Sequence, residues 1–189
     1  MMTLVFLLEE PSAKELIQGL LPTLLGAERL DRELTVRYII FEGRQDLEKK
    51  LTKRLRYWKT PNSRFVVLRD QDKQDCRVVK KRLVTLADDS AKERVLVRVA
   101  CRELEAWVLG DWQAIANGFG KQKLAQHGRK RAHRDPDSLD RPVDQLRRYL
   151  PEYQKRDGAR RVGPHLDPER NNSSSFKVFC RGVRDLVSG

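Results

Sequence analysis

Only three cysteines, Cys76, Cys101 and Cys180, occur in the 189 residues, and none stands in the paired spacing of zinc ribbons or dithiol redox motifs. A disulfide framework is excluded, and reduced thiols are expected. Histidine is as scarce: His127, His133 and His165 show neither HxxxH nor HxE spacing, which argues against a zinc hydrolase. No GxxxxGK[ST] run is present, so the chain has no P-loop of its own, and Gly118-Phe119-Gly120 lacks the third glycine and preceding strand of a dinucleotide site. That glycine pair reads as a turn. Ser173-Ser174-Ser175 belongs to no nucleophile-elbow motif. The longest apolar runs, Leu4–Leu8 and a Val95–Ala100 run broken by Arg98, fall far short of the ~20 residues that span a bilayer. No membrane role is expected. The first ten residues have no basic segment and meet Glu9 and Glu10 instead of a small-residue cleavage site, which argues against a signal peptide and for a cytoplasmic location.

Positive charge is what the chain has in excess. Its 39 Lys and Arg against 27 Asp and Glu leave a net charge of +12, with an isoelectric point near 9.9. The partners implied are polyanions, DNA or RNA first and an acidic protein surface second. The cations gather in three stretches, 49–56, 129–134 and 147–161. Lys53, Arg54, Arg129, Lys130 and Arg131 are the candidate nucleic-acid contacts, acting on phosphates without reading sequence. The stretch 127–134 is expected to be a solvated loop.

Short apolar segments alternate with amphipathic ones through the first 110 residues or so. Leu4–Leu8 reads as a strand buried on both faces and Phe65–Leu68 as another buried strand, with Leu34–Phe41 and Val95–Val99 as further strands. Between them, leucines at spacings of three and four predict helices over 11–25, 43–57 and 74–87, the first closed by Gly26 and expected to kink or shorten at Pro22. This alternation predicts an α/β fold, a mostly parallel sheet flanked by helices. Beyond Asp111 the pattern weakens to helices over 142–150 and 176–187. One domain over 1–189 is expected, with its core over about 1–111 and a helical C-terminal part over about 112–189. Trp107 and Trp112 are expected in the core.

Open parallel sheets bind ligands outside the carboxyl ends of their strands, and three strand ends here bear acids. Glu9 and Glu10 follow the first, Asp70 and Asp72 the third, and Glu103 and Glu105 the fourth. Gathered carboxylates repel one another, and a hard cation such as Mg²⁺ or Mn²⁺ neutralises them. If Asp70-Gln71-Asp72 stays extended, its two acids share a face and can reach one ion. Each element also has a plainer reading: acids follow buried strands because strands end at the surface, and Glu9-Glu10 suits a helix start. Glu103 and Glu105, two apart in a helical turn, point in different directions.

The motif order Glu9-Glu10-Pro11-Ser12, Gly43-Arg44-Gln45-Asp46-Leu47, Asp70-Gln71-Asp72-Lys73-Gln74-Asp75-Cys76, Glu103-Leu104-Glu105-Ala106-Trp107, Arg134-Asp135-Pro136-Asp137 and Pro164-His165-Leu166-Asp167-Pro168 with Asn171 and Ser175-Phe176 resembles the bacterial family catalogued as domain of unknown function 4276. That family is similar to divergent Toprim and OLD-type nucleases. The resemblance implies a Toprim-like fold, Glu9 as catalytic acid or base, Asp70 and Asp72 as metal ligands, and Glu105, Glu10 and Glu103 as further ligand candidates. Glu10 stands where Toprim proteins usually have glycine, which implies an extra ligand or a site altered for another task. The function expected is a Mg²⁺- or Mn²⁺-dependent phosphodiesterase on DNA or RNA, the effector of an anti-phage system with an ABC- or AAA-type ATPase. The alternative is a non-catalytic adaptor that binds such an ATPase, or nucleic acid, through its basic surface.

Overall fold

The computed structural model describes residues 1–189. Strands β1 (Met2–Leu8), β2 (Leu34–Ile40), β3 (Ser63–Asp70) and β4 (Val95–Ala100) form one sheet in the order β2-β1-β3-β4, every neighbouring pair parallel. The pleat sorts the side chains of the central strands. Leu4, Phe6 and Leu8 of β1, with Val66 and Leu68 of β3, enter a cluster of 33 buried residues on one face. Val5 and Leu7, with Phe65 and Val67, enter a cluster of 12 on the other. Both faces are apolar, which is why these strands read as unbroken hydrophobic runs.

Helix α1 (Pro11–Leu25) packs on the first face, and the short α2 (Ala27–Arg32) leads from it into β2. Helices α3 (Arg44–Arg56) and α4 (Cys76–Asp88) cover the second face through Leu47, Leu51 and Leu55 and through Val79, Leu83 and Ala87. Asp75 opens α4, its Oδ1 accepting the N–H groups of Arg77 at 2.7 Å and Val78 at 3.3 Å. Pro22 does not shorten α1, which continues to Leu25 before Gly26 (φ 86°) ends it. It lies in the last turn, where the helix has little left to lose.

Five more helices follow: α5 (Glu105–Leu109), α6 (Trp112–Phe119), α7 (Pro142–Tyr149), α8 (Lys155–Val162) and α9 (Ser174–Ser188). Their apolar residues, among them Trp107, Ile115, Leu146 and Phe179, belong to the same cluster as β1 and α1. Gly118 and Phe119 finish α6, and only Gly120 (φ 65°) makes the turn. The stretch 127–134 is not a solvated loop: it forms 3-10 turns in which His133, only 3% exposed, packs against Trp112 with ring centroids 4.6 Å apart. Arg129, Lys130 and Arg131 stay exposed.

The C-terminal motif residues act as a clamp on α5 and α6. The Asp111 carboxylate is buried and accepts two hydrogen bonds from Arg170, each 2.8 Å, while capping α6 through the Ala114 N–H at 3.0 Å. Asn171, fully buried, donates to the Trp107 carbonyl at 2.8 Å and accepts the Ser173 N–H at 2.8 Å. Asp137 accepts the Ser173 hydroxyl at 2.6 Å and the Ser175 N–H at 2.7 Å, and the Trp107 indole N–H donates to the Ser175 hydroxyl at 2.8 Å. A five-residue helix has little stability of its own. These bonds hold it, and Glu105 with it.

The charged stretch 147–161 conceals α8, whose buried stripe consists of the small residues Gly158 and Ala159 with Val162. That stripe allows close approach. A Cβ on Gly163 would stand 2.7 Å from the Leu16 carbonyl oxygen of α1. Backbone cannot yield as a side-chain tip does. Gly163→Ala is therefore expected to cost about 1–3 kcal/mol through overpacking, at roughly 2–4 °C in Tm per kcal/mol for a chain of this size. Thermal unfolding followed by circular dichroism checks it, and an unchanged Tm would show that α8 is not held by this contact.

Candidate active site

β1 and β3 lie side by side, yet the chain leaves them toward opposite edges of the sheet, which makes their carboxyl ends the place where such sheets bind ligands. Glu9 and Glu10 follow β1, Asp70 ends β3, and Glu105 opens α5 beyond β4. The fold brings these four within electrostatic reach of one another. Burial first, then the charges of Glu10 and Glu105, hold the Asp70 carboxyl well above the usual carboxylate range. Burial pushes Glu105 up to about 7, Lys155 opposing and Glu10 and Glu103 adding to the rise. Glu9 is raised as well, again by burial first, although its Oε2 accepts the Asp70 N–H at 3.2 Å.

Besides Arg69, which reaches Glu9 at 3.7 Å, a second cation stands among these acids that no sequence motif marks. Lys155, the first residue of α8, places its Nζ 3.4 Å from Glu105 Oε2 and 4.0 Å from Glu10 Oε1. Burial opposes its charge, but Glu105, Glu10 and Asp70 outweigh burial and raise its pKa. In sequence it is one lysine within a basic stretch. Its place among the acids, set by the contact of α8 with α1, is what marks it.

Lys155 and an Arg69 shared with Glu48 leave the four carboxylates under-neutralised. Glu105 Oε2 is buried and accepts no hydrogen bond. Asp70 is only 9% exposed, and its carboxylate likewise accepts none. Nearby Arg69 is fully buried but is committed to Glu48, to Gln74 at 2.9 Å and, at 3.7 Å, to Glu9. Hard oxygen donors in this state suit Mg²⁺ or Mn²⁺. As the side chains stand, no three acids, histidines or cysteines converge closely enough to hold an ion. The donor set fits a divalent cation in chemistry and charge, and closing on one requires side-chain movement.

Asp72 parts from Asp70. The strand ends at Asp70, and Asp72 takes a left-handed backbone (φ 57°) that sends its N–H to the Arg102 carbonyl at 2.8 Å and its carboxylate toward Arg44 at 3.4 Å. The extended alternation expected for this pair is therefore absent, because the turn into α4 begins one residue too early for it. Glu103 and Glu105 also diverge: Glu105 faces the acids, while Glu103 accepts the Val143 N–H at 3.1 Å at the start of α7, where the helix dipole favours a carboxylate.

An open cleft of about 910 Å³ meets the acid cluster at Glu9; its other charged lining is Glu42, Asp72, Glu103 and Asp140 with Arg44, Lys73, Arg102 and Arg141, and no hydrophobic residue lines it. Lys53, Arg54, Arg129, Lys130 and Arg131 do not line it and lie exposed elsewhere. Arg44 opens α3 and the other cleft cations, Lys73, Arg102 and Arg141, come from loops; all four lie outside the basic runs 49–56, 129–134 and 147–161, so charge clustering along the sequence does not reveal them.

This sheet order and helical casing define an α/β fold, a four-stranded all-parallel sheet flanked by helices. The C-terminal region of the OLD protein of Xanthomonas campestris pv. campestris has a similar fold, with a TM-score of 0.55 and 16% sequence identity over 98% of this chain and 95% of that one. The family model described as "Domain of unknown function (DUF4276)" matches residues 8–184, and the chain belongs to that family. No curated protein matches the sequence. No helix is long and apolar enough to cross a membrane.

Proposed function

We propose that the chain is a Mg²⁺- or Mn²⁺-dependent phosphodiesterase acting on DNA or RNA, with residues 1–189 forming one Toprim-like domain. The observation behind this reading is the under-neutralised group of Glu9, Glu10, Asp70 and Glu105 around Lys155 at the switch point of the sheet. Asp70 and Glu105 would hold the ion, with Glu10 and Asp72 beside them. When bound, such an ion supplies an acidified water and stabilises charge on phosphoryl oxygens.

The chain's own groups do the rest. Glu9, with its pKa raised, takes the proton of the attacking water. The Lys155 ammonium, beside Glu105, would oppose the negative charge that develops on the phosphate. Glu103 anchors α7. The excess of cations draws the polyanion to the surface, Arg129, Lys130, Arg131, Lys53 and Arg54 serving as outlying contacts. The family resemblance supports an ABC- or AAA-type ATPase partner and a role in phage defence.

A ligand that binds only the folded state stabilises it by RT ln(1 + [L]/Kd), about 2.7 kcal/mol at a hundredfold excess over Kd. Mg²⁺ or Mn²⁺ at constant ionic strength is expected to raise Tm, and Asp70→Asn combined with Glu105→Gln to abolish that rise. Equal shifts in both proteins would remove the metal from the site. The rival reading, a non-catalytic adaptor, is favoured by the Lys155–Glu105 ion pair, which already neutralises part of the cluster without a metal.

A further inference from the structure

Two arginines on the wall of the cleft have left-handed backbones, Arg102 (φ 61°) and Arg141 (φ 50°). A residue with a Cβ pays for that conformation and keeps it only where its surroundings hold it there. Arg102 is held from both sides by the loop after β3. Its N–H donates to Gln71 Oε1 at 3.1 Å, and its carbonyl accepts the Asp72 N–H at 2.8 Å. Arg141 precedes Pro142, which disfavours the right-handed helical region for it. The Glu103 carboxylate, one residue beyond Arg102, accepts the Val143 N–H and so brings the start of α7 to the same wall. The other left-handed residues with side chains, apart from Asp72, are Asn62, Ala91 and Arg94, in the connections entering β3 and β4 at the opposite end of the sheet.

Both side chains are largely unspent, as is the Lys73 ammonium on the same cleft, but only the two arginines present a planar fork to a ligand. Arg44 pairs with Asp72 and Arg69 with Glu48, but the half-buried Arg102 guanidinium makes no ion pair or hydrogen bond within the chain, although five acids, Glu9, Glu42, Asp72, Glu103 and Asp140, line the same cleft. Arg141 reaches only Asp144, at 3.9 Å and in solvent. The cleft has no aromatic side chain on which a base could stack. A polynucleotide lying in it would therefore be held by its backbone.

We propose that Arg102 and Arg141 are the phosphate grip of this site, their forked guanidinium groups receiving the non-bridging oxygens of a phosphodiester beside the acid cluster. The grip deepens the phosphodiesterase reading, but as a binding claim it is measured without cleavage. It takes phosphates alone, so it reads no base sequence.

Binding of short fluorescein-labelled duplexes to the full chain, DNA in one arm and RNA in the other, is followed by anisotropy in EDTA across a salt series. Arg102→Gly and Arg141→Gly are each expected to weaken binding about tenfold or more, as loss of a hydrogen-bonded charge does, and to reduce the slope of log Kd against log salt by about 1. The loss appears with whichever duplex the wild type binds. Tm should hold or rise, because glycine accepts the left-handed region without strain. Arg102→Lys should recover part of the affinity through its charge. Wild-type affinity and slope in the glycine variants overturns the grip, and so does a fall in Tm, which would show that the backbone conformation serves folding. Cleavage in Mg²⁺ or Mn²⁺ separates the two readings. If the wild type cuts nothing while Arg102→Gly loses binding, the phosphodiesterase reading fails and the grip stands; if Arg102→Gly cuts with unchanged KM, the grip fails and the phosphodiesterase stands.

Discussion

Glu9→Gln is expected to lower phosphodiester cleavage by the ~10²–10⁴-fold that general acid or base catalysis contributes, while leaving the metal-induced rise in Tm largely intact. Glu9 is suited to proton transfer because burial and the neighbouring Asp72 and Glu10 raise its pKa, while the Asp70 N–H fixes its Oε2. The amide of glutamine preserves shape but cannot take the proton. Lys155→Met should lose cleavage to a similar degree for a different reason, since it removes the cation facing Glu105 and Glu10 and leaves those carboxylates more repulsive. Asp70→Asn should lose both cleavage and the metal response. The assay uses single- and double-stranded DNA and RNA, Mg²⁺ and Mn²⁺, and any ATPase encoded beside this chain. Wild-type rates in Glu9→Gln would discard the proton-transfer role. No cutting of any substrate by the wild type under all these conditions would make the adaptor the better reading.

In the absence of metal, Asp70→Asn is expected to melt above the wild type at neutral pH. Asp70 is buried, no hydrogen-bond donor serves its carboxylate, and Glu10, Glu105 and Glu9 all oppose its ionisation. Asparagine keeps the volume and removes the charge. A carboxyl whose folded-state pKa lies above its unfolded one binds more protons when folded, so stability falls as pH rises between the two values. For Glu105 that window runs from 4.5 to about 7, and for Asp70 it extends upward from 3.8. Each unit of upward shift corresponds to about 1.4 kcal/mol lost at the top of the window. Lys155 works in the opposite sense, its raised pKa adding stability that persists through the whole of this range. Tm measured in EDTA from pH 4 to 8 should therefore decline for the wild type and decline less for Asp70→Asn, with Mg²⁺ reversing the order of the two proteins. A wild type that melts above Asp70→Asn in EDTA at neutral pH would show that the cluster is not under-neutralised.

The strands, the helices that follow them and the acids at their ends were all legible along the chain. Each depends on neighbours a few residues apart: a strand buried on both faces must be apolar throughout, as Leu4–Leu8 is, and a helix against a sheet must repeat leucine near every fourth residue, as Leu47, Leu51 and Leu55 do. Placing Glu9, Glu10, Asp70 and Glu105 at one end of a parallel sheet needed no more than that. The basic surface was legible only as a total of +12, which says that phosphates are attracted without saying where.

Contacts between distant segments set the remainder. Whether Asp72 shares a face with Asp70 depends on where the backbone turns, and it turns at Asp72 because that N–H meets the Arg102 carbonyl from the loop after β4. Lys155 becomes a member of the acid cluster because Gly163 lets α8 lie against α1, more than a hundred residues earlier in the chain. Asp137, Asn171 and Ser175, conspicuous as motif residues, hold Trp107 and its helix and do not approach the acids. Periodicity records which side of an element is buried. It holds no information about which charged residue from another element will stand opposite, and electrostatic energy at such a site is set by those separations and by the burial they share.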